Sequence, residues 1–242
     1  MACSRLRGGG HRVLSRGLST VGVVRVLALS DAVSPVIYSQ NFPGNLPPFD
    51  VVLGAGDLPG HVLEFIATKT RTTPVYVIGN HGNAYLRSAD TPDELRLPGG
   101  CINAHRRVVR VGGLLVAGFE GCARYRPGPH QYSQAAYHAM VAAMTPQLLW
   151  HRARYGRAVD VLLTHAAPEG PQAGEDWPHR GVAAFNRFHR LWRPQLHVHG
   201  HVHLLGANAP RSYVADGGVR VVNAFEFTII EVAWPRPSGG TA

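Results

Sequence analysis

The chain has 242 residues, 45% of them hydrophobic, which is enough to bury one large core, and a single domain is the expected organisation. Charged residues make up only 16%, with 24 Lys and Arg against 15 Asp and Glu, for a formal net charge of +9. That excess would suit a polyanion, but Lys69 is the one lysine and so uniform an Arg bias also follows from a GC-rich coding sequence; nucleic acid is therefore an open partner and not the favoured one.

Cys3, Cys101 and Cys122 are too few and too irregularly spaced for a disulfide framework or a CxxC metal knuckle, which fits a reducing compartment. No apolar run reaches the roughly 20 residues that would span a bilayer, so a soluble chain is expected. Residues 1–22 carry Arg and Ser and, like an organellar transit peptide, no acid. A basic disordered extension or an upstream start codon is the favoured account of them. The expected location is cytoplasmic, with an organelle as the alternative.

From Val23 the pattern becomes regular. VVRVLALS is a continuous apolar run that stops at Asp31, as a strand buried on both faces does. The same form recurs in FDVVLGAGD ending at Asp57, PVYVIGNH at His81, GGLLVAGFE at Glu120, VDVLLTH at His165 and LHVHGHVH at His203. Helical patterns lie between some of these runs, over Val62–Lys69 and Gly181–Trp192, so the fold is layered α/β. Pro127 and Pro129 make the segment from Arg124 to Ala135 a loop, and a second irregular stretch follows His165. Near the end, VRVVNAF and EFTIIEVA leave almost no space for a helix between them, so part of the sheet is antiparallel. The mixture favours two packed sheets flanked by helices, over residues 23–234, with residues 235–242 as a flexible tail.

The polar residues at these run ends are Asp31, Asp57, Asn80 and His81, His165, and His201 and His203. Oxygen and imidazole ligands without thiolates suit Mn, Fe or Zn in a reactive site better than calcium or a structural zinc. Glycines before Asp57, Asn80 and His201 let the backbone turn sharply out of each strand.

In this order the set resembles the calcineurin-like metallophosphoesterase superfamily, whose pattern is DxH, GDxx, GNH[DE], H and GHxH, each at a strand end. The resemblance spans about residues 23 to 230. It implies a four-layer αββα sandwich with mixed β-sheets, two divalent metal ions and a small phosphoester substrate. By position, Asp31 and His203 are implied ligands of the first ion, Asn80, His165 and His201 of the second, and Asp57 the bridge between them. His81 is the implied catalytic residue, protonating the leaving oxygen or steadying the transition state. Two cations about 3.5 to 4 Å apart neutralise phosphoryl oxygens and acidify a bound water, which is the chemistry such a set serves.

Two departures bear on this. The first motif reads DAV, so Val33 stands where the family has a histidine ligand, and the first ion is expected to bind more weakly unless a water or a group such as Tyr38 completes it. The second motif reads GDLPG, without the tyrosine of purple acid phosphatases, and Gly60 replaces the aspartate of protein serine/threonine phosphatases.

Further candidates for substrate binding are Arg124 and Arg126, as forked donors past the strand ending at Phe119, and His179 and Arg180 beyond the His165 loop. His197 and His199 share the face of His201 and His203 if their strand runs straight, and are read as core or supporting residues. The leading reading is a hydrolase acting on phosphomonoesters or phosphodiesters. A scaffold that keeps the fold without turnover, and a nuclease or nucleic-acid-binding subunit, compete with it.

Overall fold

The computed structural model describes residues 22–86, 96–204 and 209–234. The extension read over residues 1–22, apart from Gly22, and the tail over 235–242 lie outside the described residues. In chain order the strands are β1 (Gly22–Ser30), β2 (Val51–Gly54), β3 (Val75–Tyr76), β4 (Ile102–Asn103), β5 (Val108–Val111), β6 (Leu114–Phe119), β7 (Cys122–Ala123), β8 (Gln131–Tyr132), β9 (Val161–Thr164), β10 (Leu196–His199), β11 (Ser212–Ala215), β12 (Val219–Asn223) and β13 (Glu226–Trp234). The helices are α1 (Gly60–Thr70), α2 (Gly82–Tyr85), α3 (Gln134–Ala143), α4 (Thr145–Tyr155) and α5 (Ala183–Trp192).

The apolar runs become strands with side chains alternating between two buried environments. In β1, Val24, Val26 and Ala28 face the other sheet, while Leu27 and Leu29 face away from it. The chain builds two such sheets, one in the order β13-β1-β2-β3-β4 and one in the order β11-β12-β10-β9-β6-β5. Between them lies a core of Val26, Leu53 and Val75 from one sheet against Val116, Leu163 and Val198 from the other. Outside the first sheet, Leu63 and Ile66 of α1 cover Leu27 and Val52. Outside the second, Tyr137 of α3, Leu148 of α4 and Phe185 and Phe188 of α5 cover Leu115, Phe119 and Leu162. The four layers are thus helix, sheet, sheet and helix, with mixed strand directions in both sheets.

Local chemistry ends the helices where the layers require. Ser133 Oγ accepts the Ala136 N–H at 3.1 Å at the start of α3. Pro146 sits in the first turn of α4, and Gly156, at φ 71°, takes the left-handed conformation that terminates it.

Two readings of the sequence are corrected. VRVVNAF and EFTIIEVA are not neighbours in one sheet: β12 runs parallel to β10 in the second sheet, and the chain then crosses to the first, where β13 lies antiparallel to β1 from Gly22 opposite Trp234 to Ser30 opposite Glu226. Both strands are apolar enough for either sheet, so the pattern alone does not separate them. The proline-rich segment read as a loop throughout Arg124–Ala135 contains β8, which pairs with β7, and α3 begins at Gln134 once the prolines are passed.

Candidate metal centre

In each sheet the central strands are parallel, so their C-terminal ends lie along one edge of the sandwich, the place where a layered α/β fold exposes its loops. Asp31 follows β1, Asp57 lies three residues past β2, Asn80 follows β3, His165 follows β9, and His201 and His203 follow β10. Asp31, Asp57 and His201 have φ of 64°, 50° and 67°. Left-handed backbone at a non-glycine residue costs about 1 to 3 kcal/mol and persists where the surroundings fix it.

Those surroundings are hydrogen bonds into the carboxylates. The His201 N–H donates to Asp31 Oδ2 at 2.9 Å, Ser30 Oγ donates to the same oxygen at 2.5 Å, and the His81 N–H donates to Asp57 Oδ1 at 2.9 Å. The glycines serve this packing more than sharp turning, which corrects the expectation for two of the three. Gly56 does turn, at φ 95°. Gly79 and Gly200 have ordinary backbone, but a Cβ on Gly79 would overlap Asp57 Oδ1 and one on Gly200 would overlap Ser30 Oγ.

Asp31, Asp57 and His165 offer ligand atoms that all lie within 4.8 Å of one another. His165 Nδ1 is 2.8 Å from the Ala55 carbonyl oxygen, which can only accept, so Nδ1 carries a proton. Its Nε2 then points at Asn80 Oδ1, 2.8 Å away, and at Asp57 Oδ2, 3.3 Å away. An imidazole lone pair facing two oxygens at these distances is repelled by them unless a proton or a metal ion lies between. Without metal that cation is a proton: burial opposes charge on His165, but the Asp57 carboxylate outweighs it and raises the pKa to about 9. Burial likewise opposes charge on Asp57, and His165 more than offsets it, holding the carboxyl below its ordinary range. A metal ion fits the place of that proton.

His201 is fixed in the complementary sense. Its Nε2 lies 2.7 Å from the Pro178 carbonyl oxygen and so bears the proton, leaving Nδ1 as the lone-pair nitrogen. Burial, with charge on His165 next, lowers its pKa to about 3. His203 is exposed, lies tilted against Phe225 with ring centres 4.7 Å apart, and has Nε2 3.9 Å from Asp31 Oδ1. Val33 is 38% exposed and lines no part of the cleft. Tyr38 packs edge-on against Phe65 at 4.8 Å and does not line it either. Among the described residues, Asp31, Asp57 and His203 are the groups on this side of the cleft that could hold an ion.

Above these atoms opens a cleft of about 410 Å³, whose remaining walls are His81, Tyr85, Tyr125, Pro178 and His179. The His81 side chain is exposed at its edge. His179 lies tilted against His201, ring centres 4.9 Å apart, and its Nδ1 is 2.8 Å from Asp176. Arg180 lies instead over the Trp177 ring at 4.4 Å, Arg124 Nε donates to the Gln131 carbonyl at 3.4 Å, and neither they nor Arg126 lines the cleft. The residue between the two arginines, Tyr125, is the one presented to it. Neither Tyr125, which lies in the irregular segment after β7, nor Tyr85 at the end of α2 carried a sequence signal for this.

The β10 strand stops at His199, and the turn at His201 ends the alternation that would have aligned all four histidines. His197 bonds to His189 at 2.9 Å and to Thr164 at 2.8 Å, and His199 bonds to Gln172 at 2.8 Å. Both are buried core residues, and burial lowers the His199 pKa to about 4.

No family model matches the sequence, and no curated protein does. Solved structures share its fold. One superposes with a TM-score of 0.57 at 14% identity, over 87% of this chain and 95% of its own. TT1561 of Thermus thermophilus superposes with a TM-score of 0.54 at 13% identity, over 88% and 99%. A metallophosphoesterase from Sphaerobacter thermophilus overlays more loosely, with a TM-score of 0.35 at 14% identity over 87% of this chain and 86% of its own.

Proposed function

We propose that this chain, whose αββα sandwich is a calcineurin-like metallophosphoesterase fold, is a metal-dependent phosphoesterase acting on small phosphomonoesters or phosphodiesters. The observation that carries this reading is the convergence of His165 Nε2, Asp57 Oδ2 and Asn80 Oδ1 on one point beneath an open cleft. Asn80, His165 and His201 would hold one divalent ion, Asp31 and His203 the other, and Asp57 both, since a carboxylate has lone-pair sites for two cations. When bound, Mn, Fe or Zn ions neutralise the phosphoryl oxygens and lower the pKa of water beside them.

The chain's own groups do the rest. Ala55 and Pro178 carbonyls hold His165 and His201 in the tautomers that leave one nitrogen free for an ion. The hydrogen bond that the His81 amide donates to Asp57 sets His81 at the lip of the cleft, where its ring donates a proton to the leaving oxygen. Val33 supports a second reading, a protein that keeps the fold and binds metal without turnover.

Hydrolysis of p-nitrophenyl phosphate and bis(p-nitrophenyl) phosphate with manganese, before and after a chelator, separates the two. The phosphoesterase reading expects turnover that chelation abolishes and manganese restores. Metal binding without hydrolysis of either ester would favour the second reading.

A further inference from the structure

The loop between β7 and β8 brings to the cleft one hydroxyl that the ligand set does not use. Gln131 is buried, and its Oε1 accepts the backbone N–H groups of Tyr125 at 3.3 Å and Arg126 at 3.2 Å, so one side chain pins the loop from beneath. The Arg126 guanidinium lies over the Tyr125 ring, 5.3 Å from its centre, which leaves the ring half-buried with its hydroxyl toward Asn80.

The direction of the phenol proton follows from Asn80. Its Oδ1 is the end that faces His165 Nε2 at 2.8 Å, so the amide nitrogen is the end turned to Tyr125, and Nδ2 donates to the phenol oxygen at 3.4 Å. An oxygen that accepts from Asn80 keeps its own proton to give. Among the described residues no side chain or carbonyl takes that proton, and the hydroxyl borders the same open space as Asn80 and His81. Its acceptor must come from whatever occupies the cleft.

We infer that Tyr125 is a further catalytic residue of this site: its hydroxyl donates a hydrogen bond to a non-bridging oxygen of the phosphoryl group. The inference rests on the phosphoesterase reading above. A neutral donor is chemically apt there, because a cationic side chain so close to Asp31 and Asp57 would compete with divalent ions for their carboxylates, whereas a phenol does not. It also gives Asn80 two jobs from one amide, the oxygen toward the ion and the nitrogen orienting the phenol.

Tyr125→Phe removes a single oxygen and keeps the ring under Arg126. Wild type and variant would be compared by calorimetry for manganese affinity, by calorimetry for inorganic phosphate with manganese present, and by kcat/KM on p-nitrophenyl phosphate. Manganese affinity is expected to stay within about twofold, which also shows that the variant is folded. Phosphate affinity and kcat/KM should both fall by roughly 10- to 100-fold, the range for a lost hydrogen bond to a charged acceptor. A matching fall in manganese affinity would make Tyr125 a positioning residue acting through Asn80 and overturn the inference. Unchanged phosphate affinity and turnover in the variant would overturn it alone, with the phosphoesterase reading intact. Manganese-loaded wild type that neither binds phosphate nor cleaves the ester would instead remove that reading, and the inference with it.

Discussion

The proton on His165 makes metal binding and pH inseparable. Its Nε2 meets Asp57 Oδ2 at 3.3 Å and Asn80 Oδ1 at 2.8 Å, and the pKa rises from 6.5 to about 9, so an ion must displace a proton to take this place. Below about pH 9 the apparent affinity should therefore change roughly tenfold per pH unit, leaving it at pH 7 about 100-fold under its plateau. The metal-free fold shows the opposite trend. A histidine whose folded pKa lies above its unfolded value stabilises fully below about pH 6.5 and loses that contribution as pH rises through about 9, here of order 3 kcal/mol. Calorimetric manganese titrations at pH 7, 8 and 9, in two buffers of different ionisation enthalpy, would measure both the affinity and the released proton. Thermal melts with chelator over the same range would measure the stability. An affinity independent of pH between 7 and 9, with no proton released, would refute the argument.

His81→Ala should lower kcat by roughly 100-fold or more with metal content intact, as for loss of a general acid; metal analysis and steady-state kinetics check it together. Gly200→Ala would drive a Cβ into Ser30 Oγ and Asp31, and is expected to cost about 1 to 3 kcal/mol in a denaturant melt and to weaken metal binding. Val33→His puts an imidazole on an exposed side chain that lines no part of the cleft, and should leave metal affinity within about twofold in a metal titration. Arg124→Ala, on a side chain bonded to the Gln131 carbonyl and outside the cleft, should leave KM within about a factor of two.

The sandwich was readable because its strands are buried on both faces, so runs such as Val23 to Ser30 are almost wholly apolar and stop where the sheet edge meets solvent. The same reasoning placed Asp31, Asp57, Asn80, His165, His201 and His203 at strand ends, and the structure gathers them at one edge of the two sheets. What was not readable depends on contacts between distant segments. The separation of β12 and β13 into different sheets is decided by which neighbour each strand finds, and both neighbours are equally apolar. Gly79 and Gly200 are required by side chains that approach from other loops. Tyr125 reaches the cleft, and its flanking arginines do not, because Gln131 fixes the loop's amides from inside the fold. Strand alternation carried from His197 through to His203 fails at His201, whose φ of 67° is set by the bond from its amide to Asp31.

The most direct test of the account is the position of bound metal. Crystals grown with manganese and measured at the manganese absorption edge should give an anomalous peak bonded to His165 Nε2, Asn80 Oδ1 and Asp57, with a second, weaker peak between Asp57 and Asp31. No peak at His165, or peaks confined to other surfaces of the molecule, would contradict it.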